Sequence, residues 1–208
     1  MKQELIDLKD ITVAVTKNRS LEDIRKLYDL GFRMFGENRV QELLKKKDCG
    51  LEGIQWHMIG HLQTNKVRAA VENCTLIHSV DSVKLLLKIN EEAKNIGKVQ
   101  DVLLQVNIAR EETKFGFRTD KIDEVMREYN DLPYVKIRGI MVIGPHTGEN
   151  EKIRAVFSTG KQLFDKLESS YQAVDILSMG MSNDYEIALE EGASMLRLGR
   201  ILFDDDYH

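Results

Sequence analysis

The feature that most constrains this chain is an alternation that repeats eight times. Short β-rich apolar runs start near residues 11, 33, 54, 75, 101, 136, 173 and 194, and between them lie stretches whose apolar residues recur at helical spacing. Ser20 is placed to cap a helix through Leu21, Ile24, Leu27 and Tyr28 that stops at Gly31. Further helices are predicted through Val40, Leu43 and Leu44, and over 65–73, 82–95, 120–130, 151–169 and 183–191. In the 82–95 helix, Val83, Leu86, Leu87 and Ala93 are expected to share the core side. Strict β-then-α alternation implies parallel strands, and eight such units predict a single-domain (β/α)₈ barrel of the TIM type. The rival, an open doubly wound sheet, lacks a Gly-rich dinucleotide loop after the first strand. The 208 residues suit one domain over 1–208, with 1–10 as a short N-terminal extension and 201–208 as a C-terminal tail. Too few residues follow Arg200 for an eighth helix, so residues 1–10, with Leu5 and Leu8, are expected to cover that gap only in part.

Composition narrows the function classes. Lys+Arg 30 against Asp+Glu 34 gives a net charge of −4, with no basic excess to favour nucleic acid or an anionic membrane. The run Lys45-Lys46-Lys47 is expected to be a solvated helix end. No apolar run approaches the roughly 18–20 residues of a membrane span, and Met1 leads into Lys2, Gln3 and Glu4 without an apolar signal core. Cys49 and Cys74 match no metal or redox spacing, so a reducing cytoplasm is the expected setting.

In barrels of this class the C-terminal strand ends carry the site. Here those ends hold Lys17, Asn38, His57, Asn107, Met141, Ser182, Arg197 and Gly199. Lys17 ends the run from Thr12 to Thr16, and burying an ammonium there is costly. Apolar surroundings would lower its pKa from about 10.4, leaving a neutral amine able to form a Schiff base with an aldehyde or ketone. The plain alternative is a lysine stepping out of its strand into water. Gly180-Met181-Ser182 opens a helix, so backbone N–H groups and the Ser182 hydroxyl are placed to face an anion. Gly199-Arg200 adds backbone donors where a glycine allows close approach. The plain alternative for these is a helix cap and a loop glycine. Together with Lys17 they suggest an aldehyde and a phosphate on one ligand. Arg197 shares Gly199's side of its strand, suited to a ring nitrogen, a carboxylate or an ion pair with a strand-end acid. His57 and His61 stand four apart, but strand-like Trp56 and Ile59 argue against a helical zinc pair. Asp204-Asp205-Asp206 is expected to be a solvated tail.

Several segments then fall into one pattern: Ala14-Val15-Thr16-Lys17, Phe35-Gly36-Glu37-Asn38, Trp56-His57-Met58-Ile59-Gly60 with Leu62-Gln63-Thr64-Asn65-Lys66, Asn107 with Lys114-Phe115-Gly116, Arg138-Gly139-Ile140-Met141, Leu177-Ser178-Met179-Gly180-Met181-Ser182, and Arg197-Leu198-Gly199. In this order they resemble the pyridoxal-phosphate homeostasis family, which is similar in fold to the N-terminal barrel of alanine racemase. The resemblance implies pyridoxal 5'-phosphate held as a Schiff base on Lys17. It also implies phosphate contacts from Ser182 and the Gly199 and Arg200 amides, Arg197 near the pyridine nitrogen, and Asn38, His57 and Met141 lining the pocket. The chain departs from the family in its short stretch before Ile11 and in Asp204 where a glycine often stands.

The first functional expectation is therefore a carrier or regulator of pyridoxal phosphate without robust catalysis. It would be a monomer with small-molecule partners, amino acids among them, and transient apo-enzyme acceptors. An amino-acid racemase is the second, although racemisation needs proton donors on both faces of the α-carbon and the chain leaves no room for the second domain that supplies one in the racemases. The third is a Schiff-base aldolase acting on a phosphosugar.

Overall fold

The computed structural model describes residues 2–109 and 115–203. Chain order runs α1 (Gln3–Asp7), β1 (Thr12–Val15), α2 (Leu21–Asp29), β2 (Met34–Glu37), α3 (Val40–Lys46), β3 (Gln55–Met58), α4 (Val67–Asn73), β4 (Leu76–Val80) and α5 (Val83–Asn95). It continues with β5 (Gln100–Val106), α6 (Ile122–Tyr129), β6 (Val135–Val142), α7 (Asn150–Ser170), β7 (Ile176–Ser178), α8 (Tyr185–Glu190), β8 (Leu196–Leu198) and α9 (Arg200–Phe203). The eight strands lie in the order β7-β6-β5-β4-β3-β2-β1-β8, and every neighbouring pair is parallel. The two end strands meet as well. A bridge joins Ser178 to Met195, Met179 N–H donates to Met195 O, and Arg197 N–H donates to Gly180 O. The sheet thus curls into the predicted (β/α)₈ barrel, joined by a seam between its two shortest strands.

Period-2 alternation along each strand separates two cores. The inner one is small: Val13, Leu76, Leu103, Met141 and Met195, with Met34, Ile59, Ile143 and Ile176 against them. The outer one packs the opposite strand faces, among them Ala14, Phe35, Ile77, Leu104, Ile140 and Leu196, against helix residues such as Ile24, Leu43, Leu86, Ile89 and Phe157. Space inside is tight. A Cβ at Gly36 would lie 2.7 Å from Val13 Cγ1, so that position must stay bare for the barrel to fill. On β6, Val102 pairs with Ile137 while Leu103 pairs with Gly139, leaving Arg138 as the extra residue of a bulge. Gly139 sits at φ +145°, where a Cβ would lie 1.9 Å from Ile176 O.

Local signals placed the helices well. Ser20 caps α2 through a reciprocal pair, its Oγ accepting from Asp23 N–H while the Asp23 carboxylate accepts from Ser20 N–H. Two expectations change. In α5 the buried residues are Leu85, Leu86, Ile89 and Ala93, and Leu87 is exposed on the flank. Lys46 is no part of a solvated helix end: it faces inward and is buried with Glu37, because α3 leads away from the rim and its last turn passes under the end of β1. In the N-terminal segment Leu5 of α1 is fully buried, Leu8 packs partly buried against the outer core, and Glu4 comes close to Tyr185 of α8. Asp204, Asp205 and Asp206 lie outside the described residues.

Candidate functional site

At the exit of β1 the chain makes a sharp turn. Asn18, with φ 58°, is the one non-glycine residue of positive φ among those described. Thr16 is pinned from three sides: its N–H donates to Gly36 O at 3.0 Å, its Oγ1 donates to Glu37 Oε1 at 2.6 Å, and its carbonyl accepts from Lys46 Nζ at 2.7 Å and from Arg19 N–H at 3.0 Å. Lys46 Nζ also reaches Glu37 Oε1 at 2.7 Å. This buried cluster fixes the backbone one residue before Lys17. Lys17 itself is exposed, which matches the plain alternative of a lysine stepping out of its strand into water and not the enclosure in apolar surroundings. Asn38 follows β2 on the neighbouring strand, and the loop after β3 packs directly on it: a Cβ at Gly60 would lie 2.3 Å from Asn38 O.

Donors gather on the other side of Lys17. β1 pairs with β8, with Ala14 opposite Leu198, and Gly199 abuts Val15. The Ser182 Oγ accepts from the amides of Gly199 at 3.3 Å and Ile201 at 3.4 Å. Two long bonds to one hydroxyl leave these amides poorly satisfied, which is the behaviour of a cradle suited to a stronger acceptor. Met181 N–H donates to Asp184 Oδ1, and burial raises the Asp184 carboxyl above its ordinary range. The Arg200 guanidinium reaches Asn183 Oδ1 at 3.2 Å. Ile201, absent from the sequence reading, thus joins Gly199 at Ser182.

Below the rim, four inward side chains from four strands form one chain of hydrogen bonds. Arg197 Nη1 donates to Ser178 Oγ at 2.7 Å, and Nη2 donates to Val142 O at 3.0 Å. Ser178 Oγ lies 3.0 Å from His78 Nδ1, and His78 Nε2 lies 2.9 Å from His57 Nδ1. All four residues are buried. Burial pushes His57 down to about 3, pushes His78 well below its ordinary value with help from Arg197 and His57, and lowers Arg197 to about 10. His57 and Arg197 therefore lie under the mouth, and Met141 belongs to the inner core beside them. His78 had no place in the sequence reading and Ser178 entered it only within the segment from Leu177 to Ser182, although their inward parity in strands β4 and β7 is the signal that finds them.

The remaining flagged residues lie around the rim. Asn107 follows β5, its N–H donating to Phe117 O. Lys114 lies outside the described residues. His61 bonds Asp81 at 2.9 Å and stacks on exposed Phe115, whereas His57 bonds His78. Among the described residues no group of three or more His, Cys, Asp or Glu side chains is placed to hold a metal ion. Cys49 and Cys74 are free thiols, and burial raises Cys74 to about 12. No helix among the described residues is long and apolar enough to cross a membrane.

This chain matches known proteins along most of its length. The family model of the alanine racemase N-terminal domain fits residues 3–206. The pyridoxal phosphate homeostasis protein of Aquifex aeolicus is 44% identical over 189 residues, which covers 88% of this chain and 82% of that one. The chain belongs to the pyridoxal phosphate homeostasis protein family. Its homeostasis-family relative in Escherichia coli is 34% identical over 203 residues, covering 94% of this chain and 86% of the other. Among solved structures, PipY of Synechococcus elongatus, solved without PLP, is 36% identical with a TM-score of 0.88, covering 92% of this chain and 91% of that chain. A second PipY structure, with PLP bound, gives a TM-score of 0.86 over the same shares. An alanine racemase of Clostridium difficile shares the fold at 19% identity, with a TM-score of 0.79 over 94% of this chain and 57% of the racemase.

Proposed function

We propose that this chain binds pyridoxal 5'-phosphate at the rim of its barrel and holds it for supply to other proteins, without robust turnover of its own. One observation carries the reading. Three kinds of donor meet where β7, β8 and β1 end, in a chain 36% identical to a protein solved with PLP bound. Each matches one pole of the cofactor. Lys17, exposed just after β1, would hold the aldehyde end of the cofactor through its amine. The Ser182 hydroxyl and the amides of Gly199, Arg200 and Ile201 take the phosphate oxygens, for which long bonds to a hydroxyl are a poor substitute. Arg197 would offer a guanidinium N–H to the pyridine nitrogen, with Asn38, His57 and Met141 lining the pocket.

The same set would disfavour catalysis. A hydrogen bond from a guanidinium leaves the ring nitrogen without a full proton, so the cofactor is a poorer electron sink when bound. Racemisation also needs a base on each face of the α-carbon, and Lys17 serves one. The partners of this function are pyridoxal phosphate, amino acids that exchange with Lys17, and apo-enzymes that meet a monomeric carrier transiently in the cytoplasm.

Incubation with pyridoxal phosphate, borohydride reduction and peptide mass spectrometry should place the adduct on Lys17. An adduct only on another lysine, or none, overturns the reading. Racemisation of alanine or serine, followed by chiral chromatography, should fall far below the roughly 1–10³ s⁻¹ usual for enzymes. Efficient racemisation lost in Lys17→Ala would make the chain an enzyme.

A further inference from the structure

The chain of buried bonds beneath the rim has a direction, and the direction follows from which atoms can accept. Arg197 has N–H groups and no acceptor, so at Ser178 it only donates. Ser178 Oγ has two partners among the described residues, Arg197 Nη1 and His78 Nδ1. Its own hydroxyl proton has one acceptor available, His78 Nδ1. That nitrogen must then carry the lone pair, which puts the proton of neutral His78 on Nε2. Nε2 donates to His57 Nδ1, and neutral His57 in turn carries its proton on Nε2. The opposite direction would leave the Ser178 proton buried with nothing to bond, which disfavours that state on the order of tenfold or more. Both rings are held neutral by burial, with Arg197 adding repulsion at His78, so neither can donate through both nitrogens.

We propose that Ser178 and His78 are positioning residues: the Ser178 hydroxyl sets a one-way hydrogen-bond chain from Arg197 to His57, and fixes His57 as a donor through Nε2. None of these groups sits on the same strand as another. β8, β7, β4 and β3 each contribute one, so the chain forms only when the barrel closes, and it ties the head at Arg197 to a ring on the far side of the interior. Its consequence for the ligand rests on the reading above. With Arg197 donating at one end and His57 donating at the other, the floor favours a ligand face made of acceptors and disfavours one that brings an N–H.

The test needs no ligand, so its outcome is separate from that of cofactor binding. The chain has five histidines, few enough for the imidazole nitrogens to be assigned one by one in long-range ¹H–¹⁵N spectra of the full-length protein at pH 7. His57 and His78 should both be neutral with the proton on Nε2. A proton on Nδ1 of His57, or a cationic ring at either position, overturns the proposal. In Ser178→Ala the hydroxyl proton is gone and the two directions become closer in energy, so the nitrogen shifts of both rings should move toward mixed values while the far-UV spectrum stays that of the folded barrel. Unchanged shifts would assign the direction to the Arg197 charge alone and remove Ser178 from the role. Should Ser178→Ala not fold, the wild-type spectrum still decides the direction.

Discussion

Replacing Lys46 with methionine isolates the buried ion pair behind the β1 turn. Lys46 Nζ and Glu37 Oε1 lie 2.7 Å apart, with side chains 7% and 0% exposed. Methionine fills most of the lysine stem's volume, so the cavity contribution is small and the charge effect dominates. What remains is a carboxylate sealed from water with one donor, the Thr16 hydroxyl, and with Oε2 already unpartnered among the described residues. Removing one partner of such a pair costs about 3–5 kcal/mol. For a chain of this length that corresponds to a drop of roughly 6–20 °C in Tm. Urea melts at pH 7 should show the lower midpoint with an unchanged slope. Adding Glu37→Gln removes the orphaned charge while keeping an oxygen for Thr16, so the double variant should regain much of the loss. A single-variant loss below about 1 kcal/mol, or a double variant worse than the single, would refute the idea that this pair is held as buried charges.

Other expectations follow from separate parts of the structure. Ser182→Ala should weaken pyridoxal phosphate binding by about 1–2 kcal/mol in a fluorescence titration, and pyridoxal without its phosphate should bind far more weakly; equal affinities would mean the cradle was misplaced. Gly139→Ala puts a Cβ into Ile176 O at φ +145° and should cost about 3 kcal/mol or prevent folding, seen as a lowered melting midpoint; a wild-type melt would refute the bulge geometry. The neutral imidazoles also predict a pH dependence. An unfolded His57 takes up a proton near 6.5, the folded one only near 3, so its contribution is complete above about pH 6.5 and is lost as pH falls toward 3. The slope is about 1.4 kcal/mol per pH unit for each ring, His78 acting in the same sense. His57→Gln should flatten the curve of urea stability between pH 7 and 5, and an unaltered slope would contradict it.

What the sequence made legible was whatever is decided locally or by period. The Ser20 cap depends on four adjacent residues, and the eightfold alternation needs no knowledge of contacts. Lys17, Ser182 and Gly199 are singled out by sequence alone because strand ends and glycine turns mark them. Lys46 was misread because three lysines in a row look solvated, and the partner that buries one of them lies at the end of the preceding strand. Leu87 was misplaced because a helical stripe has edges, and Leu85 and Ile89 set where its centre fell. Whether Lys17 stands in apolar surroundings or in water could not be decided from its own strand, because that depends on what the neighbouring strands bring beside it. His78 and Ser178 are 100 positions apart, and only closure of the barrel makes them neighbours.

The seam between β7 and β8 has a consequence for how the ligand and the scaffold depend on each other. Strands of three residues give that join little of its own backbone pairing, and Ser182 on one lip already accepts from Gly199 on the other. An anion seated among Ser182, Gly199 and Ile201 would act as a clasp across the only ends the cylinder has. Loading and hoop strength would then rise together, and the amides of Met179, Met195 and Arg197, which cross the join, should be the ones whose hydrogen exchange slows most when pyridoxal phosphate is added. Without the anion the join between β7 and β8 would be the loosest stave of the barrel.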